Sequence, residues 1–230
     1  MLTVDVLPNC QENPDLVNGD PLVSRRACRA IGTLEYKTGR GISALSSPSR
    51  SPHVSSTNEL ISGAVIRLAV NDDWPEIWRM FQQVAAAGDV FAYDADTPEA
   101  AARQLWVEPP ARAYVADLAG QILGTYFLRP NQPGRGKHVA NADYMVAPDS
   151  RGNGLASILC QHSLEVASSL GYRAMQFNFV IATNLAAIRV WRKHGFAIIG
   201  RLPKVFQHAQ FGLVDALIMH LEILAPETSG

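Results

Sequence analysis

The residues of this chain whose types and spacing best suit ligand chemistry lie between Val146 and Ala156, where a strand-like run passes through glycines into an apolar-periodic helix. Gly152 and Gly154 allow the backbone to approach a ligand closely, because they carry no side chain. The first turn of the helix, predicted to begin at Leu155, has N–H groups without partners and the positive end of the helix dipole. Each charge-assisted hydrogen bond from such a group contributes about 1.5–3 kcal/mol. The segment therefore predicts a site for a diphosphate.

The residues after these glycines exclude two common phosphate-binding motifs. A P-loop requires Lys and then Ser or Thr after its last glycine, whereas Leu155 and Ala156 follow Gly154 here. A dinucleotide-binding fingerprint requires a third glycine where Ser157 stands. What remains is Arg151-x-x-Gly154-x-Ala156 directly after a strand, a pattern that an ordinary strand–helix turn would also satisfy. Other segments must distinguish the two interpretations.

The composition bounds the class of protein. Of the 230 residues, 47% are hydrophobic, which is ample for a core, and the net charge is −1. We therefore expect no nucleic-acid partner, and no apolar run reaches the roughly 20 residues of a membrane span. The three cysteines form neither a C-x-x-C pair nor a disulfide framework, so we expect a cytoplasmic protein without a metal site. Cys160 lies on the predicted helix and is expected in the core.

Residues 1–62 differ from the rest of the chain. They contain scattered prolines and glycines, a serine-rich segment at 43–62, and hydrophobic residues without sustained periodicity. The first ten residues include Asp5 and Pro8 where a signal peptide would have a continuous apolar stretch. We expect a disordered tail at 1–62 and one folded domain at 63–226.

The folded part predicts the element order β-α-α-β-β-β-α-β-α-β-β. Asn71, Asp72 and Asp73 are expected to cap the first helix. The predicted strands are 65–70, 112–118, 121–128, 138–146, 174–181, 197–201 and 213–223, and the predicted helices are 74–88, 97–107, 155–171 and 184–194. This order indicates a single α/β domain with a mixed, mostly antiparallel sheet of about seven strands and about four helices.

With the glycine loop between the fourth strand and the third helix, this order resembles that of the GNAT N-acetyltransferases, whose pyrophosphate-binding loop reads [Q/R]-x-x-G-x-[G/A]. A second GNAT feature is present: Asn184 follows the fifth strand, and the next helix ends in an aromatic residue before Gly195-Phe196. The resemblance covers residues 64–225 and implies acetyl-CoA as co-substrate. It also implies that acetyl-CoA is bound by Met145, Val146, Arg151, Gly152, Asn153, Gly154, Leu155, Ala156 and Asn184.

Short phrases at Gly124–Asn131, Asn141, Asn178 and Asn184 are similar to those of the fungal azetidine-2-carboxylate (proline-analogue) N-acetyltransferases. In that branch, asparagines at the matching positions are polar groups of the active centre. The likeness implies that Asn141 orients the acceptor carboxylate, Asn178 stabilises the reacting carbonyl and Asn184 holds the pantetheine arm. Asn178 and Asn141 are therefore the catalytic candidates.

Simpler interpretations of the three asparagines stay open. Asn178 lies in a run that otherwise predicts a buried strand, where an amide without partners costs about 1–3 kcal/mol, so it could bond a splayed backbone instead. Asn141 could be a plain surface residue at a strand edge. Asn184 could serve only as the N-cap of its helix.

Trp191 is a departure from the common GNAT pattern. Many family members carry at this position a tyrosine that protonates the departing thiolate, whereas an indole N–H is too weak an acid for that task. The azetidine-2-carboxylate branch also has tryptophan there. A thiolate near its own pKa can leave without a dedicated acid, so acetyl transfer remains the expectation.

The general base is left open by the sequence. Asp143 shares a strand face with Asn141, and Asp94 and Asp96 lie in an aromatic loop expected to cover the acceptor. His138 and His208 are further candidates, each expected to be a loop histidine in solvent. A chain of water molecules would also serve.

These features predict an acetyl-CoA-dependent N-acetyltransferase for a small-molecule amine, with an amino acid, an imino acid or a toxic proline analogue as the leading acceptor. The first alternative is another amine, such as an antibiotic, a polyamine or a protein N-terminus. The second is a CoA-binding regulatory module without catalysis, which Trp191 and the unidentified base would favour. Neither a membrane nor a nucleic acid is expected as a partner, and a homodimer is one candidate oligomeric state.

Overall fold

The structure, a computed structural model, describes residue 61 and residues 63–223. These residues form strands and helices in the order β1-α1-α2-β2-β3-β4-α3-β5-α4-β6-β7, which confirms the predicted order and α/β class. The strands are β1 Val65–Leu68, β2 Arg112–Leu118, β3 Gln121–Pro130, β4 Val139–Val146, β5 Ala174–Ile181, β6 Ala197–His208 and β7 Gly212–Glu222. The helices are α1 Trp74–Ala87, α2 Glu99–Trp106, α3 Leu155–Ser169 and α4 Leu185–Lys193.

Apart from residue 61, the predicted tail lies outside the described residues, as do residues 224–226 at the end of the predicted domain. No helix in the described part of the chain is long and apolar enough to cross a membrane.

The seven strands form one sheet in the order β1-β2-β3-β4-β5-β7-β6. All neighbouring strands are antiparallel except β4 and β5. These two are parallel and pair only at their first residues, Val139 with Ala174 and Ala140 with Met175. Beyond Ala140 the two strands separate, so the middle of the sheet opens into a cleft.

Each face of the sheet carries its own hydrophobic cluster. Helices α3 and α4 cover one face, where Leu159, Met175 and Trp191 are buried. Helices α1 and α2 cover the other face, where Phe81, Trp106 and Met145 are buried. Because side chains alternate between faces along a strand, the even-numbered β4 side chains lie on the α3/α4 face and the odd-numbered ones on the α1/α2 face. Cys160 is fully buried in the first cluster, as predicted.

The start of α1 differs from the prediction. Asn71–Asp73 form a single 3-10 turn, and no side chain of the three makes a capping hydrogen bond to α1. The Asp73 carboxylate instead accepts hydrogen bonds from the Arg67 guanidinium at 2.7 Å and from the Val70 N–H at 2.8 Å. The nearby cation on β1 is a stronger partner for this carboxylate than a helix N–H group.

Strand β6 is longer than predicted, because it continues through an irregularity between Leu202 and Phe206. The segment lies beyond the predicted end of the strand at residue 201 and contains Pro203 and Lys204, the latter at φ 53°. Asp215 on β7 spans the irregularity: its carboxylate accepts hydrogen bonds from the Lys204 N–H at 2.9 Å and the Arg201 guanidinium at 2.6 Å. The contacts of Asp215 thus hold the irregular segment, and β6 pairs with β7 again from Phe206 to His208. This pairing could not be predicted from the local sequence.

Candidate active site

The cleft between β4 and β5 has a volume of about 270 Å³ and is lined from both faces of the sheet. A bulge on β5 helps to open it, because three steps from Phe177 to Val180 match only two on β7. The α1/α2 face contributes Val90, Phe91, Arg129, Asn141 and Asp143, and the α3/α4 face contributes Tyr144, Asn184, Ala187 and Trp191. The cleft therefore connects the two faces.

The separation of the strands leaves backbone groups of β4 facing the cleft. The Asn131 N–H donates to the Val139 carbonyl at 2.8 Å, and the Ala147 N–H donates to the Leu123 carbonyl at 2.9 Å, so odd-numbered residues of β4 direct their backbone groups to β3. Even-numbered residues direct theirs to the β5 side. The Val146 N–H is thus directed to the β5 side, where β4 has no partner beyond Ala140. Met145, the other residue predicted here, directs its backbone to β3, and its side chain is buried.

The glycine loop has the geometry of an anion cradle. Gly152 and Gly154 have φ angles of 80° and 82°, in the left-handed region that favours glycine. Gly154 is the N-cap of α3, and its carbonyl accepts the N–H of Ser157 at 2.9 Å. Among the described residues, the N–H groups of residues 152–154 form no hydrogen bond. The predicted residues therefore fit a diphosphate, with the N–H groups of Leu155 and Ala156 at the first helical turn adding two donors.

Arg151, also predicted to bind acetyl-CoA, lies at the surface of this loop. Its Nε makes a long contact of 3.5 Å with the Val146 carbonyl, which leaves the exposed guanidinium beside the cradle. The loop residues do not line the cleft itself. Because β4 runs from the cleft directly into the loop, a ligand held by the loop on the α3/α4 side can extend an arm towards the cleft.

Asp143 and Arg129 place two opposite charges on the α1/α2 side of the cleft. Burial raises the pKa of the Asp143 carboxyl to about 6, and the positive charge of Arg129 opposes the shift. Arg129 forms no salt bridge with any described carboxylate, and its guanidinium lies 4.8 Å from the centre of the Phe127 ring. The two charges thus influence each other without pairing.

Tyr93, in the loop between α1 and α2, is a component that the sequence analysis did not identify. Burial raises the pKa of its phenol to about 12; the negative charge of Asp143 adds to the shift, and Arg129 opposes it. The phenol is therefore neutral at pH 7 and close to both charges. Its ring packs against Phe81 and Phe91, which fixes the loop over the α1/α2 side of the cleft.

Asn141 lies at the point where β4 and β5 separate. Its side chain is buried, with 7% exposed, and its Nδ2 donates to the Gln176 carbonyl at 2.9 Å. A plain surface position is therefore excluded. The carbonyl partner identifies which end of the amide is nitrogen. One N–H and the Oδ1 atom remain for a ligand.

Asn178 also lines the cleft, but the predicted burial is wrong: the β5 bulge exposes both Asn178 and Phe179. Its Oδ1 accepts a hydrogen bond from Gln176 Nε2 at 2.9 Å, and its Nδ2 donates to Asn131 Oδ1 at 2.6 Å. Asn178 therefore shares the α1/α2 side with Asn141 and Asp143. Both predicted catalytic asparagines are brought together there.

Asn184 serves as the N-cap of α4, as predicted: its Oδ1 accepts the Ala187 N–H at 3.1 Å. Because the cap uses only the oxygen, the Nδ2 group remains for a ligand in the cleft. The structural and binding interpretations are thus compatible.

Trp191 and Tyr144 pack together on the α3/α4 side, with ring centres 4.7 Å apart. The Tyr144 hydroxyl is 2.7 Å from Ser163 Oγ, which itself donates to the Cys160 carbonyl, so Tyr144 is the donor to Ser163. Burial raises the pKa of Tyr144 well above its ordinary value. The hydroxyl is therefore directed into α3, and Tyr144 does not replace the missing tyrosine acid.

The other base candidates do not line the cleft. Asp94 and Asp96 are exposed in the α1–α2 loop, and His138 is exposed before β4. His208 is not the solvent-exposed loop histidine that was predicted: it ends β6, is 5% exposed, and accepts the Gln210 N–H at its Nδ1. Asp143 is the one sequence candidate that the structure brings to the cleft. Across residue 61 and residues 63–223, no group of three or more His, Cys, Asp or Glu side chains is placed to hold a metal ion.

Comparisons with known proteins agree with this geometry. Residues 69–196 match the Acetyltransferase (GNAT) family. Over 168 residues the chain is 32% identical to the L-methionine sulfoximine/L-methionine sulfone acetyltransferase of Pseudomonas aeruginosa, covering 70% of this chain and 95% of that protein. The structure of a GCN5-related N-acetyltransferase from Kribbella flavida is similar with a TM-score of 0.68 and 39% identity, covering 70% of this chain and 98% of the other.

A shorter match relates the chain to N-acetyltransferase aca1 of Schizosaccharomyces pombe, with 33% identity over 103 residues. It covers 44% of this chain and 49% of aca1, so the two are similar over about half the length of that relative.

Proposed function

This chain belongs to the Acetyltransferase (GNAT) family, and on that premise we propose that it transfers the acetyl group of acetyl-CoA to the amine of a small amino acid or imino acid. The acceptor lies on the α1/α2 side of the cleft, and acetyl-CoA enters from the α3/α4 side.

The unpaired charges of Arg129 and Asp143 carry the proposal for the acceptor. A free amino acid at neutral pH has a carboxylate and an ammonium group, which complement a cation and an anion held apart in one site. Arg129 would bind the acceptor carboxylate, and Asp143 would bind its ammonium group. Arg129 would share the carboxylate role predicted for Asn141, which has one N–H bonded to Gln176 and one left for a ligand. Asn141 Oδ1 would accept a hydrogen bond from the amine.

On the donor side, acetyl-CoA supplies a thioester whose carbonyl carbon is open to attack by an amine. The N–H groups of residues 152–156 would hold its diphosphate, and the Asn184 Nδ2 group would bond its pantetheine arm. The Val146 N–H would polarise the thioester carbonyl, and Asn178 would stabilise the developing negative oxygen from the other strand.

Asp143 is proposed as the general base. As a carboxylate it removes a proton from the acceptor ammonium group, and the neutral amine forms the new C–N bond as the C–S bond breaks. The nitrogen then loses its second proton to solvent, which yields the neutral amide. A pKa of about 6 leaves Asp143 ionised at neutral pH and a stronger base than an ordinary aspartate. The thiolate leaves unprotonated and takes its proton from solvent, since neither Trp191 nor Tyr144 offers an acidic proton.

Two observations bear on the acceptor's identity. Methionine sulfoximine and methionine sulfone, named for the Pseudomonas relative, are amino acids with a free carboxylate and amine. The phrases shared with the azetidine-2-carboxylate branch favour a cyclic imino acid, which has the same two groups. Both candidates suit the charge pair, so the proline-analogue acceptor stays a prediction. The homodimer and the cytoplasmic location also stay predictions.

Thiol release from acetyl-CoA tests the proposal, using pairs of acceptors that differ only by a carboxylate, such as an amino acid and its decarboxylated amine. The panel includes methionine sulfoximine, azetidine-2-carboxylate, proline and a polyamine. We expect release with carboxylate-bearing acceptors only. Arg129→Gln should raise their KM about ten-fold or more, because it removes a charge-assisted bond.

Arg135→Gln is the matched control, since Arg135 is an exposed arginine of the β3–β4 connection that does not line the cleft. Equal rates with both members of each pair would refute the amino-acid proposal. Binding of acetyl-CoA without release on any amine would instead favour the CoA-binding module.

A further inference from the structure

A chain of three side-chain amides joins the end of β3 to the bulge of β5. Gln176 Nε2 donates to Asn178 Oδ1 at 2.9 Å, and Asn178 Nδ2 donates to Asn131 Oδ1 at 2.6 Å. Asn131 directly follows β3, and its own N–H is bonded to the Val139 carbonyl at 2.8 Å. The last amide of the chain is thereby anchored to the base of the β3–β4 hairpin.

This chain determines which end of the Asn178 amide is nitrogen. An amide has donors at one end and an acceptor at the other, and reversing Asn178 alone would set oxygen against the Asn131 oxygen and donor against donor at Gln176. With both contacts made, Asn178 retains one N–H and one oxygen lone pair for a ligand. Asn178 is exposed, so without these contacts its side chain would be free to rotate.

The amide chain also links two strands on the acceptor side of the cleft. Arg129 lies two residues before Asn131 on β3, and Asn178 lies on β5, beyond the strand that carries Asn141 and Asp143. The contact between Asn131 and Asn178 therefore ties the strand with the cation to the strand with the amide. An acceptor bound by Arg129 and a thioester oxygen bound by Asn178 would therefore keep a constant position relative to each other.

We propose that Asn131, which does not line the cleft, is a positioning residue for acetyl transfer: it orients the Asn178 amide, the group proposed to stabilise the developing negative oxygen. This inference rests on the proposed function, because it requires Asn178 to contact the reacting groups. Asn131 acts through Asn178 and not through the acetyl-CoA loop, which lies at the opposite end of β4.

Kinetics of the single and double variants Asn131→Leu and Asn178→Leu in the full chain test the inference. Asn131→Leu should lower kcat/KM for the acceptor about three- to ten-fold, the effect of one hydrogen bond, and leave the KM for acetyl-CoA unchanged. In the Asn178→Leu background the same substitution should have no further effect, because the group it orients is gone. Asn131→Ser is a smaller change and should also lower kcat/KM for the acceptor.

The milder Asn131→Asp keeps an acceptor at this position and should preserve the orientation of Asn178. It should restore most of the acceptor kcat/KM lost in Asn131→Leu. Asn71→Leu is the matched control: Asn71 Oδ1 accepts a hydrogen bond from Arg103 at 3.0 Å, remote from the cleft, and its loss should not change acceptor kinetics.

Multiplicative losses in the double variant, or an equal rise in both KM values, would show that Asn131 only supports the fold and would overturn the inference. Unchanged activity in Asn178→Leu would instead remove the role proposed for Asn178 itself. A loss in Asn178→Leu with no loss in Asn131→Leu or Asn131→Ser would overturn the inference alone.

Discussion

At the scale of single residues, the burial of the Asp143 carboxylate has opposite effects on stability and on catalysis. Burial disfavours the charged carboxylate and raises its pKa to about 6, while Arg129 limits the shift. A base with a higher pKa accepts a proton more readily and is still ionised at neutral pH. The same burial therefore makes Asp143 a stronger base and lowers the free energy of unfolding when the carboxylate is charged.

The pH dependence of kcat/KM follows from this pKa. Below about pH 6 the Asp143 carboxyl becomes protonated and cannot accept a proton, so kcat/KM should fall about ten-fold per pH unit. Asp143→Asn should lower kcat/KM by about 10²–10³-fold at neutral pH and abolish this limb of the profile. Steady-state kinetics from pH 5 to pH 8 measure both. Asp94→Asn, at an exposed aspartate of the α1–α2 loop, should leave the profile unchanged.

Stability should respond to Asp143→Asn in the opposite direction from activity. The folded-state pKa of about 6 lies above the ordinary value of 3.8, so the folded chain binds more protons than the unfolded chain between these values. The free energy of unfolding therefore falls as pH rises through this range. Above about pH 6 the burial of the ionised Asp143 carboxylate lowers the free energy of unfolding by its full amount, at most about 3 kcal/mol. Asp143→Asn should raise the unfolding free energy at pH 7.5 and change it little at pH 4, measured by urea denaturation.

Sequence reasoning identified the asparagines more readily than their environments. Asn141 and Asp143 were placed on one face, because strand alternation is a local property. Asn178 was expected to be buried, because a bulge depends on the pairing of β5 with β7 and leaves no local signal. Tyr93 was missed for a similar reason: its proximity to Asp143 depends on how a loop folds over a distant strand.

At the scale of elements, helix α3 has a glycine with a left-handed backbone at each end. Gly154 at the N-cap has φ 82°, and Gly171 after the last turn has φ 80°. A Cβ atom would meet nothing within 4 Å at either position. Substitution by alanine therefore tests conformation alone, at a cost of about 1–2 kcal/mol.

Gly154→Ala and Gly171→Ala should lower the free energy of unfolding by similar amounts. Only Gly154→Ala should weaken acetyl-CoA binding, by about ten-fold, because only that glycine sets the direction of the N–H groups proposed to hold the diphosphate. Isothermal titration calorimetry compares the two affinities. Equal affinities in both variants would exclude the loop as the diphosphate site.

Element bounds were predictable where patterns are local. Strands β2 and β5 have the predicted ends, and Asn184 caps α4 as expected. The extension of β6 past Pro203 was not predictable, since Asp215 on another strand holds that segment in place. Likewise, the sequence placed Asp73 at a helix cap. Its actual partner, Arg67, could not be predicted, because the two side chains meet only in the folded structure.

At the scale of the whole molecule, the order of elements was readable from the sequence, but the cleft was not. The order follows from periodicity and turn residues, and together with the glycine loop and the Asn184 to Phe196 motif it indicated the family that the comparisons then showed. The cleft arises because β4 and β5 pair only at their first residues, a property of two segments separated by a helix. In the proposed mechanism, this separation would let two ligands approach from opposite faces of one sheet and meet beside Asp143.

The most direct test of this arrangement is a competition experiment read by mass spectrometry. The chain is incubated with acetyl-CoA and an equimolar mixture of amino acids, imino acids and their decarboxylated amines, and the acetylated products are identified. We expect acetyl groups on the amines of carboxylate-bearing acceptors, and we expect these products to be lost in Asp143→Asn. Acetylation confined to amines without a carboxylate, or full product formation by Asp143→Asn, would contradict the proposed mechanism.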